Sequence, residues 1–241
     1  MTGRLRQTAV VGTEIAELWR YPVKALVGER VATLDLDERG VVGDRRWAIH
    51  DEDGRIASGK STRRFRRRDE ALTLAGRTGD SGVEVLDPLR SPGGPVRRAG
   101  DPSTDVWLSE RLGVAVRLRE EGEVPHLDAG PVHLVGTATL AWAAEHWGGS
   151  PDARRLRPNL VVATDEPFVE DTWDRLDVGT AVLGVEGPTE RCRMLDLVEG
   201  RPALHPWLRG AARERDACLG VYASVLDRGR LAQGDAVTVR A

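Results

Sequence analysis

At 241 residues, with 40% hydrophobic and 30% charged side chains, the chain suits one large domain or two small, closely packed ones, and it is too apolar to be disordered. A formal net charge of −3, with Lys and Arg scattered along the sequence, excludes the broad basic field that nucleic acid requires. Two cysteines, Cys192 and Cys218, exclude a disulfide framework and a cysteine-ligated iron–sulfur cluster, and no run approaches the roughly 18 apolar residues that span a bilayer.

Residues 1–12 read as a tail. The first twenty residues mix Arg4, Arg6, Glu14 and Glu17 among apolar positions and hold no apolar stretch of signal-peptide length, so the cytoplasm is the expected compartment. From Ile15 to Val42 the pattern is β: Ile15, Glu17 and Trp19 alternate with Ala16, Leu18 and Arg20 until Tyr21-Pro22 breaks the run, and Val31–Leu36 forms a second strand. Trp47–His50 and Arg55–Ala57 flank Asp51-Glu52-Asp53-Gly54, and an Asp-Gly pair between short apolar segments signals a hairpin. The β pattern continues at Leu72–Leu74 and Val83–Leu86, and a Pro/Gly-rich loop spans 88–102.

Ser103 is placed to cap a helix from Thr104 to Leu112, with Gly113 as its stop, before a strand at Val114–Leu118. The polar, Gly- and Pro-broken stretch 120–130 is the expected linker between a first unit, 13–119, and a second, 131–241. In the second unit Leu140, Ala143, Ala144 and Trp147 fall at helical spacing before Gly148-Gly149, and strands are expected at Leu160–Thr164, Thr180–Val185, Val221–Leu226 and Ala236–Val239. The pattern is mainly β with two or three helices, which suits linked barrels rather than alternating βαβ units.

Gly54-Arg55-Ile56-Ala57-Ser58-Gly59-Lys60-Ser61 satisfies the P-loop pattern GxxxxGK[ST] letter for letter. Its context argues against an NTPase. Asp51, Glu52 and Asp53 precede the first Gly where a buried strand is needed, and residues 62–68 carry no apolar stripe for a helix. The basic run Lys60 to Arg68 is open to three readings: a solvated hairpin arm, a contact to an anionic group such as a cofactor phosphate, or a nucleic-acid contact. The five histidines, His50, His126, His133, His146 and His205, lie at no zinc-binding spacing and read as surface or core residues.

Arg191-Cys192-Arg193 sets a cysteine between two cations at the end of an expected strand, and positive neighbours favour the nucleophilic, metal-binding thiolate. On residue physics alone Cys192 is either a reactive thiol or a small buried hydrophobe; Cys218, beside Leu219 and Val221, suits the second role.

Trp19-Arg20-Tyr21-Pro22-Val23-Lys24 resembles the opening motif W-x-Y-P-V-K-S of the MOSC N-terminal β-barrel domain, and Gly43-Asp44-Arg45-Arg46-Trp47 resembles that family's x-D-R-x-W. Asp128 to Leu140 is similar to the start of the MOSC domain, Arg157-Pro158-Asn159 to its R-P-N, Trp173 to Gly179 to its W…G, Arg191-Cys192 to its R-C, and Leu231 to Val237 to its last strand. These matches run in order over nearly the whole chain. The resemblance implies an N-terminal β-barrel-like subdomain packed on a C-terminal MOSC barrel, with a molybdenum cofactor (Mo-pyranopterin) in the cleft between them. It implies Cys192 as the thiolate ligand to the metal. It implies Lys24, Arg45, Arg157, Asn159 and Arg191 around the phosphate and pterin, a pairing that a buried dianion needs.

Two departures stand out. Ala25 replaces a frequent Ser, and Glu190 replaces a small polar residue, where its carboxylate would act as a proton donor or shape substrate choice. The family's two-domain members imply reduction of N-oxygenated small molecules. With no second redox centre in the chain, electrons come from a separate ferredoxin, flavoprotein or cytochrome. The rival reading is a cofactor binder or a carrier of persulfide sulfur on Cys192.

Overall fold

The computed structural model describes residues 10–240, with side chains from Thr13. Residues 1–9 of the expected tail lie outside this range, and Val10 already opens the first strand, Val10–Arg20.

Seven strands close into a barrel. Around it run Val10–Arg20, Leu160–Val162, Val132–Gly136, Cys218–Asp227, Ala181–Glu190, Arg175–Val178 and Ala236–Arg240, the last pairing back to the first. Period-two alternation explains the closure, because every second residue must find an apolar partner. Ile15, Leu18, Val132, Leu134, Leu160, Val162, Leu176, Leu183, Val221 and Val239 fill the interior and are almost wholly buried. All neighbours are antiparallel except Val132–Gly136 with Leu160–Val162. That parallel pair needs a crossover, which helix α2 (Thr137–Trp147) supplies. Val135 and Val161, on the outer faces of the same strands, pack under α2 and α3 (Leu208–Glu214) with Leu140, Trp207 and Ala211.

A second core lies within 23–118: Val23, Leu26, Ile49, Leu74, Val85, Leu108, Val116 and Leu118. Two small sheets and helix α1 (Pro102–Leu112) enclose it. One sheet orders Val116–Glu120, Trp47–Asp51, Ile56–Ser58 and Phe65–Arg67; the other orders Arg97–Arg98, Gly82–Leu86 and Ala75–Gly79. The chain is thus mainly β with a closed barrel and three α-helices among the described residues.

The first strand crosses the division read from sequence. It belongs to residues 13–119 by position, yet its hydrogen-bonded neighbours are Leu160–Val162 and Ala236–Arg240. Residues 121–131 have no regular structure but are tied down: Glu121 bonds Arg39 and Arg46, and Asp128 bonds Lys24.

Several local expectations change. Residues around Leu72–Leu74 form a 3-10 helix, Asp69–Thr73, rather than a strand, because Leu74 N–H donates to Ala71 O and closes the chain on itself. The cap of α1 is Asp101, whose carboxylate accepts from Ser103 N–H at 2.8 Å, so Ser103 sits inside the helix rather than capping it. Gly113 ends α1 in the left-handed region, as a C-terminal glycine does. Helix α3 had no counterpart in the sequence pattern; it starts where the Asp196 carboxylate accepts from Trp207 and Leu208 N–H.

Candidate functional site

The loop after the first strand and the loop 43–47 form one unit. Tyr21 N–H donates to the Asp44 carboxylate at 2.7 Å, Arg45 N–H to Tyr21 O at 2.7 Å, and Lys24 N–H to Trp47 O at 2.7 Å. The two motifs recognised in the first half are therefore two sides of one hydrogen-bonded platform. Arg157 approaches it from the second half: its Nη1 donates to Leu26 O at 2.7 Å, and its backbone O accepts from Arg45 Nη2 at 3.2 Å. The Arg45 and Arg157 guanidinium groups both lie over the buried Tyr21 ring, 4.9 and 4.3 Å from its centroid. Ala25, Arg45 and Arg157 all adopt positive φ (70°, 51° and 57°), a conformation that costs a residue with a Cβ and that clusters at functional sites.

All seven residues singled out from sequence, Lys24, Arg45, Arg157, Asn159, Glu190, Arg191 and Cys192, line one cavity of about 650 Å³ between the barrel and the second core. That volume suits a cofactor-sized ligand. Cys192 is a free, half-buried thiol just past the strand Ala181–Glu190, and Glu190 lies exposed at the cavity edge. Asn159 is fully buried, and its amide is engaged: Oδ1 accepts from His133 N–H at 3.1 Å and Nδ2 donates to Trp19 O at 3.3 Å. It pins two barrel strands beside the cavity. Arg193 points elsewhere than the thiol, clamping Asp69 through two 2.7 Å bonds and donating to Gly59 O at 3.1 Å. Cys218 is half-buried and does not line the cavity; burial, with Glu190 next, pushes its thiol pKa up.

The cavity wall also holds residues that pattern reading missed. Asp128 forms a 2.7 Å ion pair with Lys24, and the cations Lys24 and Arg45 outweigh burial to keep its carboxyl well below the usual range. His133 is buried, and burial followed by the charge of Arg191 holds its pKa far below the ordinary value, so it is neutral and receives Arg191 Nη1 at 3.4 Å. Tyr222 and Phe65 complete the aromatic lining. Asp128 and His133 stood within the stretch matched to the start of the MOSC domain, but only their spatial neighbours give them a role.

The P-loop look-alike is resolved by its surroundings. Gly54 occupies the hairpin turn, Ile56–Ser58 is a strand paired in parallel with Phe65–Arg67, and no helix begins at Lys60. The segment nonetheless contributes Ser58, Lys60, Arg64 and Phe65 to the cavity wall.

Charge decides what the cavity can hold. Six cations, Lys24, Arg45, Lys60, Arg64, Arg157 and Arg191, face two carboxylates, Asp128 and Glu190. Arg157 Nη2 and Arg191 Nε are buried without a hydrogen-bond partner, and orphaned guanidinium N–H groups point to an anionic ligand. Burial pushes the Arg157 pKa down to about 10 and lowers that of Arg191, as unpaired charges require. A dianionic phosphate carried on a pterin, with a soft cysteine sulfur at hand for a metal, fits this donor set.

Lys24 carries a testable consequence. Burial lowers its pKa to about 8, with Asp128 opposing the shift. The ammonium is thus present below that pH and lost as pH rises through it. Sulfate, whose charge is constant over this range, should bind the cofactor-free protein about tenfold less tightly at pH 9.5 than at pH 7 by calorimetry, the worth of one charge-assisted hydrogen bond. A flat profile would remove Lys24 from the anion site.

No helix among the described residues is long and apolar enough to cross a membrane, and none of their His, Cys, Asp and Glu side chains cluster in threes as a metal site. The family model of the MOSC domain matches residues 121–238, and that of the MOSC N-terminal beta barrel domain matches residues 12–80. The chain is 24% identical to mitochondrial amidoxime reducing component 2 of Rattus norvegicus over 97% of its own length and 85% of that protein's. It is 28% identical to molybdenum cofactor sulfurase of Anopheles gambiae over 88% of its own length, spanning 34% of that longer protein. The crystal structure of the YuaD protein from Bacillus subtilis shares the fold, with a TM-score of 0.53, 14% identity and 98% coverage of both chains. With a cysteine, six cations and two anchored motifs in one cavity, and both domain models matched in order, the chain belongs to the MOSC family, in the form that sets a MOSC N-terminal beta barrel domain before the MOSC domain.

Proposed function

We propose that the cavity binds a molybdenum–pyranopterin cofactor and that the protein uses it to reduce N-oxygenated small molecules such as amidoximes and hydroxylamines. The single observation that carries this reading is the convergence of Cys192 with orphaned, buried guanidinium donors of Arg157 and Arg191 in one cavity. The Rattus norvegicus and Homo sapiens relatives named as amidoxime reducing components support the choice of reaction.

In this reading Cys192 is the thiolate ligand, while Arg157, Arg191, Arg45 and Lys24 hold the phosphate and pterin. Bound there, the cofactor supplies two-electron exchange of an oxygen atom with the substrate. The chain's own residues bind, orient and move protons. Asn159 acts through position, keeping the His133 and Trp19 backbones at fixed spacing behind the pocket floor. Neutral His133 accepts from Arg191 and so aims that guanidinium into the cavity. Glu190, exposed at the edge, exchanges protons between bulk water and the substrate oxygen. A separate ferredoxin, flavoprotein or cytochrome delivers electrons, and the protein works in the cytoplasm.

A second reading rests on the free, half-buried thiol and the sulfurase relatives: Cys192 carries persulfide sulfur without turning over an organic substrate. One preparation separates the two. Protein purified from a cofactor-producing host should hold close to one molybdenum per chain and reduce benzamidoxime with reduced viologen as donor. Sulfane sulfur on Cys192 with no turnover would replace the reductase reading by the carrier.

A further inference from the structure

Three cations converge on one aromatic ring at the cavity wall. Lys24 Nζ, Lys60 Nζ and the Arg64 guanidinium lie 5.6, 5.1 and 5.4 Å from the centroid of Phe65, whose ring is buried. Of the three, only Lys24 has a carboxylate partner among the described residues, Asp128. Arg66 and Arg67, in the same basic run, are neutralised by Asp51, Asp53 and Asp69 and do not line the cavity. Arg64 spends its donors on the backbone oxygens of Pro125 and Leu127, which fixes its position but leaves its charge uncompensated. Lys60 makes no ion pair or hydrogen bond among the described residues.

The loop that carries Lys60 is locked beside the thiol. Gly59 comes close to the Cys192 segment: a Cβ built on it would stand 2.4 Å from Met194 Sδ, at the far end of that flexible side chain. Gly59 O also accepts from Arg193 Nη1, the residue after Cys192. Placing an ammonium there gives a cation–π contact with Phe65 but no carboxylate partner among the described residues. It costs self-repulsion with Lys24 and Arg64 that an anion would relieve.

We propose that Lys60, with Arg64 and the Phe65 ring, forms a second anion subsite for the substrate rather than the cofactor. It would select N-oxygenated compounds that carry a carboxylate or phosphate on an aromatic or heteroaromatic body. Phe65 contributes apolar contact where it lines the cavity and Lys60 the counter-charge. The choice of substrate class rests on the reductase reading above; the existence of the subsite does not.

Two measurements keep these apart. Benzoate titrated calorimetrically into purified holoprotein should bind with a dissociation constant raised at least about tenfold in Lys60→Met and restored in Lys60→Arg, the loss expected for one charge-assisted contact. An unchanged benzoate constant in Lys60→Met overturns the subsite. With turnover, the ratio of KM for 4-carboxybenzamidoxime to KM for benzamidoxime should rise about tenfold in Lys60→Met, and the same comparison of an N-hydroxylated nucleoside with its monophosphate distinguishes carboxylate from phosphate recognition. If neither ratio moves, selection of anionic substrates is overturned. If wild-type protein reduces none of these compounds while benzoate binding still depends on Lys60, the reductase reading fails and the anion subsite stands.

Discussion

Replacing Cys192 by Ser should lower retained molybdenum by more than tenfold while leaving the fold intact. A serine hydroxyl is a hard, protonated donor at neutral pH, whereas molybdenum bound as proposed would favour a soft cysteine sulfur, and even residues behind a metal ligand are worth roughly 10–100-fold in metal affinity. The Cys192 side chain is half-buried and makes no capping hydrogen bond to the 3-10 turn that follows it, so little packing is lost. The melting temperature should therefore move by no more than about 2 °C, the scale of a substitution without a structural partner. Metal content by mass spectrometry and a thermal scan on the same sample decide the matter. Molybdenum retained at the wild-type level would show that this sulfur is not the ligand.

The second large effect is on stability. Asp44 is fully buried, accepts Tyr21 N–H at 2.7 Å and pairs with the buried Arg45 guanidinium. Asp44 and Asp128 together outweigh the burial that disfavours the Arg45 charge, and so hold its pKa above the usual value. Asp44→Ala leaves that cation without its neighbour and Tyr21 N–H without an acceptor. Breaking a buried pair from one side costs about 3–5 kcal/mol, or roughly 6–20 °C in melting temperature for a chain of this size. Asp44→Asn keeps an acceptor but no charge and should fall between the two. Because Arg45 Nη2 also donates to Arg157 O, the alanine variant should bind sulfate more weakly as well. A melting temperature within about 2 °C of wild type would mean that the platform is held by other contacts.

Much of the barrel was legible locally. Leu160–Val162, Cys218–Asp227 and Ala236–Arg240 follow from apolar runs and alternation that act within a few residues, whereas Val132–Gly136, buried on both faces, and Arg175–Val178 carried no strand expectation. Leu72–Leu74 shows the limit of such reading: its apolar spacing suits a strand or a tight turn, and the hydrogen bond from Leu74 N–H to Ala71 O chose the turn. The motifs around Lys24, Arg45, Arg157 and Cys192 named residues that do share a cavity, though not how each is used; Asn159 spends its amide on backbone, and Arg193 serves Asp69. The P-loop pattern matched in letters and failed in geometry, since the helix that would define it never forms after Lys60.

From sequence alone came the β class, most of the strands and helices, the motif residues and the thiol, because periodicity, turn chemistry and short motifs are written within neighbouring residues. Only the folded chain decided that the first strand closes the barrel between Leu160–Val162 and Ala236–Arg240, that Asp128 meets Lys24, and that Lys60 stands over Phe65 with no ion pair among the described residues. Those pairings join residues far apart in the chain. Their selection depends on which distant surfaces and charges can be buried together, and no local pattern carries that information.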